Sequence, residues 1–184
     1  MRRTLVLFVR VPVLGRGKRR LAREIGDVLA VRFERQMLAL LPRRLARCRR
    51  WRLRIAATPD RARRCGPRRP ARIERVGQGV GDLGTRMSRA IGACPPGPVV
   101  LVGSDIPAMR ASHIAAAFGL LGARDLVFGP AEDGGFWLVG TRRRQHLALE
   151  PQRRDVADLA RQAALAAPEC RGTHEQNQSA THQR

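Results

Sequence analysis

Residues 4–20 read TLVLFVRVPVLGRGKRR, and this stretch decides the fold class. Thr4 to Val9 is a compact apolar run, the pattern of a strand buried on both faces of a parallel sheet. Pro12, Gly15 and Gly17 then punctuate a loop. From Leu21 apolar residues recur every four positions (Leu21, Ile25, Leu29, Phe33, Met37, Leu41, Leu45), the stripe of a helix. Gly26-Asp27 interrupts it, with Asp27 placed to cap a second helix. A buried strand that runs through a basic, glycine-punctuated loop into a helix is the opening unit of an α/β sheet. The basic start and apolar run superficially suggest a secretory leader, but Arg10 interrupts the run and no A-x-A-like site precedes the basic residues Arg16 to Arg20.

The rest of the chain repeats the alternation. Trp51 to Ala57 alternates like a strand, and Thr58 to Arg72, rich in Pro and Arg, reads as an exposed connection. Ile73 to Val76 is a weak strand before GQGVGDLGTRM, where Asp82 is placed to cap a helix that runs to about Cys94. Pro95, Pro96 and Pro98 precede a second buried strand, Val99 to Val102, which ends in GSDIP. Ala111 to Leu121 is helical, with Ile114, Ala117, Phe118 and Leu121 on one face and Gly122 as a stop. Leu126 to Phe128 and Phe136 to Val139 are short strands joined by GPAEDGG. Strands alternating with helices predict a mostly parallel sheet covered on both faces.

Composition sets bounds on function. A length of 184 residues and a mass of 20.4 kDa suit one domain, and no run of about 18 apolar residues exists to span a membrane as a helix. Cys48, Cys65, Cys94 and Cys170 are widely spaced and contain no C-x-x-C pair, which points to neither a zinc site nor a disulfide scaffold and suits a reducing cytoplasm. The net charge of +21 raises nucleic acid as a partner. Yet the arginines are spread along the chain and no aromatics are interleaved to stack bases, so a solvated Arg-rich surface is the preferred reading. Lys18 is the only lysine.

Three segments can carry chemistry. The loop Arg10 to Arg20 follows a buried strand and opens a helix, where backbone N–H groups and the helix N-terminus favour a phosphate. A lone lysine there suggests that a compact ammonium is wanted. Asp105 of GSDIP stands where a strand runs out at the rim of the sheet; its carboxylate suits a hard cation that neutralises a diphosphate, or else Asp105 or Ser104 caps the next helix. AEDGG (Ala131 to Gly135) brings Glu132 and Asp133, or is simply a hairpin turn. A rival is G-x-G-x-x-G at Gly79, Gly81 and Gly84, with Asp105 lying 21 residues further on, the spacing of a dinucleotide fingerprint. It leaves Lys18 and the AEDGG turn without a role.

FVRVPVLGRGKRRLAREIG, QGVGDLGTRM, VVLVGSDIPAM and LVFGPAEDGGFWLVG, in that order, resemble the bacterial glycosyltransferase-A-like family of the nucleotide-diphosphosugar transferase superfamily, alongside molybdenum-cofactor and phospholactate nucleotidyltransferases. The resemblance covers residues 1 to about 141. It implies a three-layer, Rossmann-like glycosyltransferase-A fold with a mostly parallel central sheet. It further implies a nucleotide site at Arg10, Val11, Pro12, Gly15, Lys18, Asp82 and Arg86, with Gly81 beside it. Metal carboxylates would be Asp105 and Asp133, and the catalytic groups Lys18 and Asp133, with Glu132 an alternative base.

The expected organisation is a nucleotide-binding domain over 1–141, a divergent extension over 142–168 that includes one helix, and a disordered tail over 169–184. The expected activity is transfer from a nucleotide-activated donor with Mg²⁺ or Mn²⁺, sugar transfer in the first place and nucleotidyl transfer from a nucleoside triphosphate as the alternative. A small molecule is the acceptor. A basic nucleic-acid-binding module is the alternative of another class, and a binding-only relative a third.

Overall fold

A computed structural model describes residues 2–14, 18–60, 73–131 and 135–143. The chain runs β1 (Thr4–Arg10), α1 (Arg19–Ile25), α2 (Asp27–Ala46), β2 (Arg52–Thr58), β3 (Glu74–Gly77), α3 (Leu83–Gly92), β4 (Val99–Gly103), α4 (Ala111–Leu120), β5 (Leu126–Pro130) and β6 (Phe136–Thr141). These form a six-stranded sheet in the order β3-β2-β1-β4-β6-β5. The first strand lies near the centre, parallel to β2 and β4, which is why Leu5, Val6 and Leu7 are all fully buried.

Side chains of successive residues go to opposite faces. Leu5, Leu7 and Val9 pack with Met37, Leu41 and Leu45 of α2 and Ile114, Ala117 and Phe118 of α4. Val6, Ala56, Leu101 and Val139 meet Met87, Ala90 and Ile91 of α3. The molecule is thus three-layered, α2 and α4 on one face and α3 on the other, as the fold class expected.

Two details depart from the sequence reading. Asp27 is the first helical residue of α2 and not its cap; Gly26, at φ +82°, makes the elbow, a conformation that suits glycine. The four-residue stripe does not stay buried, since Ile25 and Leu29 are exposed while Met37, Leu41 and Leu45 are buried. A step of four residues overshoots one turn by about 40°, so the stripe rotates away from the core. The sheet is mostly parallel, as expected, with β6 running antiparallel to both β4 and β5. The dinucleotide rival falls on topology. Its strand β3 is separated from the next strand, β4, by β2 and β1, whereas a dinucleotide unit needs a crossover between neighbouring parallel strands.

Arg54 of β2 is buried on the α3 face. Its guanidinium donates to both carboxylate oxygens of Glu74, at 3.1 and 2.7 Å, and to the carbonyl of Ala93 at the end of α3, where a cation complements the helix terminus. The Arg54 hydrogen bonds hold the Glu74 carboxyl below its usual range. Folding therefore gains from this pair above the ordinary carboxylate pKa and loses the gain as pH falls through the lowered folded value. Glu74 is partly exposed, so the contribution is only about 1 kcal/mol. Glu74→Gln is expected to lower the melting temperature at neutral pH, with the deficit shrinking toward about pH 3; a deficit independent of pH would assign it to packing.

Cys48 and Cys94 are free thiols, and no helix among the described residues is long and apolar enough to cross a membrane. Cys65, Cys170, the stretch 61–72 and the predicted extension and tail from residue 144 lie outside the described residues.

Candidate functional site

The carboxyl ends of β1, β2 and β4 open into a cleft of about 310 Å³. Arg10 and Thr58 are the last residues of β1 and β2, and Gly103 ends β4 and leads to Ser104 and Asp105. Lys18, at the N-terminal edge of α1, lies across from them, and its Nζ is 2.6 Å from Asp105 Oδ2. Adjacency of β1 and β4 brings together two groups that are 87 residues apart in sequence. Lys18 and Asp105 are 29% and 52% exposed, so this ion pair faces solvent and an incoming ligand can displace it.

The loop carrying Asp105 is fixed from below. Met109 is fully buried, and Arg44 of α2 donates to the carbonyls of Pro107 and Met109 at 3.2 and 3.0 Å. Asp105 and Ser104 do not cap α4; its first turn is closed by Arg110 N–H donating to His113 Nδ1 at 3.4 Å. Asp105 is left pointing at the cleft.

Gln78 completes the opposite wall, a residue to which the sequence reading gave no role. It is 1% exposed. Its Nε2 donates to the carbonyls of Val9 and Ala56, both at 2.9 Å, and its Oε1 accepts from Arg86 Nη1 at 2.9 Å. One amide thus clamps the ends of β1 and β2 and holds a guanidinium at the cleft. Its place directly after the weak strand β3 was the available clue. Phe33, Glu34 and Leu38 of α2 line the same cleft and were also unforeseen.

Of the predicted nucleotide residues, Arg10, Lys18 and Arg86 meet at this cleft. Val11 spends its N–H on the carbonyl of Thr58 at 2.9 Å, and Pro12 has no N–H to offer; neither lines the cleft. Asp82 is the cap of α3, accepting from Thr85 N–H at 2.7 Å. That bond holds the Asp82 carboxyl below its usual range, and Asp82 does not line the cleft. Gly81 adjoins Thr85 at the same turn. Gly15, Glu132 and Asp133 lie outside the described residues. On either side of Glu132 and Asp133, Ala131 N–H donates to Gly135 O at 2.9 Å, and β6 begins beside the end of β4.

Among the described residues no three His, Cys, Asp or Glu side chains group as a metal centre. Among the described residues that line the cleft, the oxygen donors include the carboxylates of Asp105 and Glu34 and the hydroxyls of Ser104 and Thr58. That set fits a magnesium-type ion, which keeps several waters and takes one or two carboxylates together with substrate phosphates. It does not fit an ion that needs a full protein cage.

Residues 40–153 match the model of a family described as uncharacterized protein conserved in bacteria (DUF2064). The chain belongs to that family. The DUF2064 chain is also similar to a candidate nucleotide-diphospho-sugar transferase from Desulfovibrio desulfuricans G20, whose crystal structure superposes with a TM-score of 0.70 at 27% identity, covering 90% of this chain and 75% of that one. A weaker likeness, TM-score 0.48 at 9% identity over 79% of this chain and 72% of that one, is to 4-diphosphocytidyl-2C-methyl-D-erythritol synthase from Anaerococcus prevotii DSM 20548. No curated protein matches. The DUF2064 chain therefore has a nucleotide-diphosphosugar transferase-like fold: an α/β sandwich about a six-stranded, mostly parallel sheet.

Proposed function

We propose that this protein transfers a group from a nucleotide-activated donor, a nucleotide sugar in the first place, to a small acceptor. The observation that carries the reading is the Lys18–Asp105 pair, 2.6 Å apart at the carboxyl ends of two parallel strands, in a cleft that Arg10 and Arg86 also line. Cations at that edge suit phosphates, and open α/β sheets bind ligands there. The likeness to the Desulfovibrio protein supports the same class.

In this reading Lys18, Arg10 and Arg86 bind the diphosphate, and Asp105 holds Mg²⁺ or Mn²⁺. The metal supplies charge neutralisation at the phosphates. During transfer the bond from the sugar carbon to the phosphate oxygen breaks, the acceptor oxygen bonds to that carbon, and nucleoside diphosphate leaves. The acceptor proton passes to a carboxylate, assigned to Asp133 with Glu132 as the alternative. Lys18 stabilises the charge that develops on the leaving phosphate.

The test is calorimetric titration with a panel of nucleotides and nucleotide sugars, with and without Mg²⁺ or Mn²⁺, followed by product analysis. Metal-dependent binding and release of nucleoside diphosphate are expected. Release of pyrophosphate would assign nucleotidyl transfer instead. Absence of nucleotide binding together with steeply salt-dependent RNA binding would overturn the reading.

A further inference from the structure

A second cleft, of about 360 Å³, opens on the other side of Asp105. Phe8, Leu83, Gly103 and Asp105 belong to both clefts, so the two meet at the carboxylate. Beyond that seam the character changes. The remaining wall is apolar, built from Met87, Leu101, Ile106, Phe136 and Trp137 with their neighbours on β6. In a chain of 36 Lys and Arg, none of the described residues that line this cleft is cationic, and among them Asp105 is the one charged group.

The wall is also specially shaped. Pro130 pairs with Phe136 and Gly129 with Leu138, which leaves Trp137 as an extra residue in the register of β6. Such a bulge re-aims a side chain and is common beside active sites. Gly129 makes room for the indole: a Cβ there would lie 2.8 Å from Trp137 Cε2. His113 of α4 meets the same ring edge-on, with centroids 6.1 Å apart. Phe136 is packed edge-on against Phe128 at 5.7 Å.

From these features we propose that the second cleft is the acceptor subsite, and that it takes a neutral molecule with an apolar or aromatic body and a hydroxyl directed to the Asp105 seam. An anionic acceptor would lose water beside the Asp105 carboxylate, whose partner cation Lys18 lines the first cleft and not this one. A neutral apolar body gains from burial against the aromatic and aliphatic wall. The word acceptor rests on the transferase reading above; the ligand chemistry of the cleft does not.

The test is a ¹H–¹⁵N NMR titration of the full chain with 2-phenylethanol and, separately, with 3-phenylpropionate, its anionic counterpart. The alcohol is expected to give saturable shifts at the Gly135, Phe136 and Trp137 amides, and the anion to bind roughly tenfold more weakly. Phe136→Ala should weaken the alcohol by roughly tenfold. Should that variant not fold, Leu83→Arg, at a position 54% exposed, carries the test by reversing the preference toward the anion. Tighter or equal binding of the anion to the wild type, shifts that map elsewhere, or no saturable shift would overturn the proposal. A parallel titration with UDP and GDP separates the two readings. Alcohol binding at this cleft without nucleotide binding keeps the subsite and removes the transferase; nucleotide binding without alcohol binding does the reverse.

Discussion

Asp105→Ala is expected to lower the affinity for a nucleotide sugar in the presence of Mg²⁺ by roughly 100-fold, about 3 kcal/mol, the scale of a charged group lost from a phosphate-metal site. The same variant should lose its dependence on metal altogether. Without Asp105 the Lys18 ammonium, now 2.6 Å from that carboxylate, is released to the phosphates, so the metal-free affinity should hold or rise. Unfolding will not mimic this result. The ion pair is solvent-exposed, and such pairs contribute about 0–1 kcal/mol to stability. Lys18→Ala should weaken binding both with and without metal, and the double variant should show that the two losses are not additive. Equal Mg²⁺-dependent affinities for wild type and Asp105→Ala would remove Asp105 from the site.

Gln78→Leu is expected to act on stability and binding together. It keeps the volume but strips the donor from two strand-end carbonyls, Val9 and Ala56, in a position that is 1% exposed. Each buried acceptor left unsatisfied costs about 1–3 kcal/mol, so a loss near 3 kcal/mol and a drop of about 10 °C in melting temperature are expected. Arg86 also loses the Oε1 that holds it, and nucleotide affinity should fall. Arg86→Leu separates the effects: affinity falls while most of the stability remains. Gln78→Glu places a carboxylate oxygen against the two carbonyls and raises its own folded pKa. That variant should be least stable at neutral pH and regain stability as pH falls and the carboxyl protonates to become a donor. A Gln78→Leu protein with unchanged melting and affinity would show that the clamp is not used.

Much of this site was legible because strands at the centre of a parallel sheet write themselves as apolar runs. TLVLFV and VVLV are such runs, and the residues that follow them, Arg10 and Asp105, were thereby placed at the rim. The cap at Asp82 was legible from its local chemistry, but the resemblance-based role of that residue in binding was not what its geometry displays. What local pattern does not encode is direction and partnership. The hairpin alternative at AEDGG implied that β5 and β6 are antiparallel, but the apolar run FWLVGT is the same beside any neighbour, so the pairing of β6 with β4 was not foreseen. The bond from Lys18 to Asp105 depends on β1 lying beside β4, a property of topology and not of either segment. Gln78 and Arg54 are polar residues whose burial no local pattern announces, and only their distant partners, carbonyls and a carboxylate, explain it.

The central position of β1 has a consequence for synthesis. Its two neighbours are β2 and β4, and the second does not exist until Val99–Gly103 has been made. Until then Leu5, Leu7 and Val9 sit on a strand with one open edge, a template for pairing with another chain. The sheet thus closes late, through contacts distant in sequence, which slows folding and lengthens the exposure of that edge. A nascent chain stalled before residue 99 should be aggregation-prone and dependent on chaperones, whereas one stalled just beyond β4 should already protect the β1 amides from exchange.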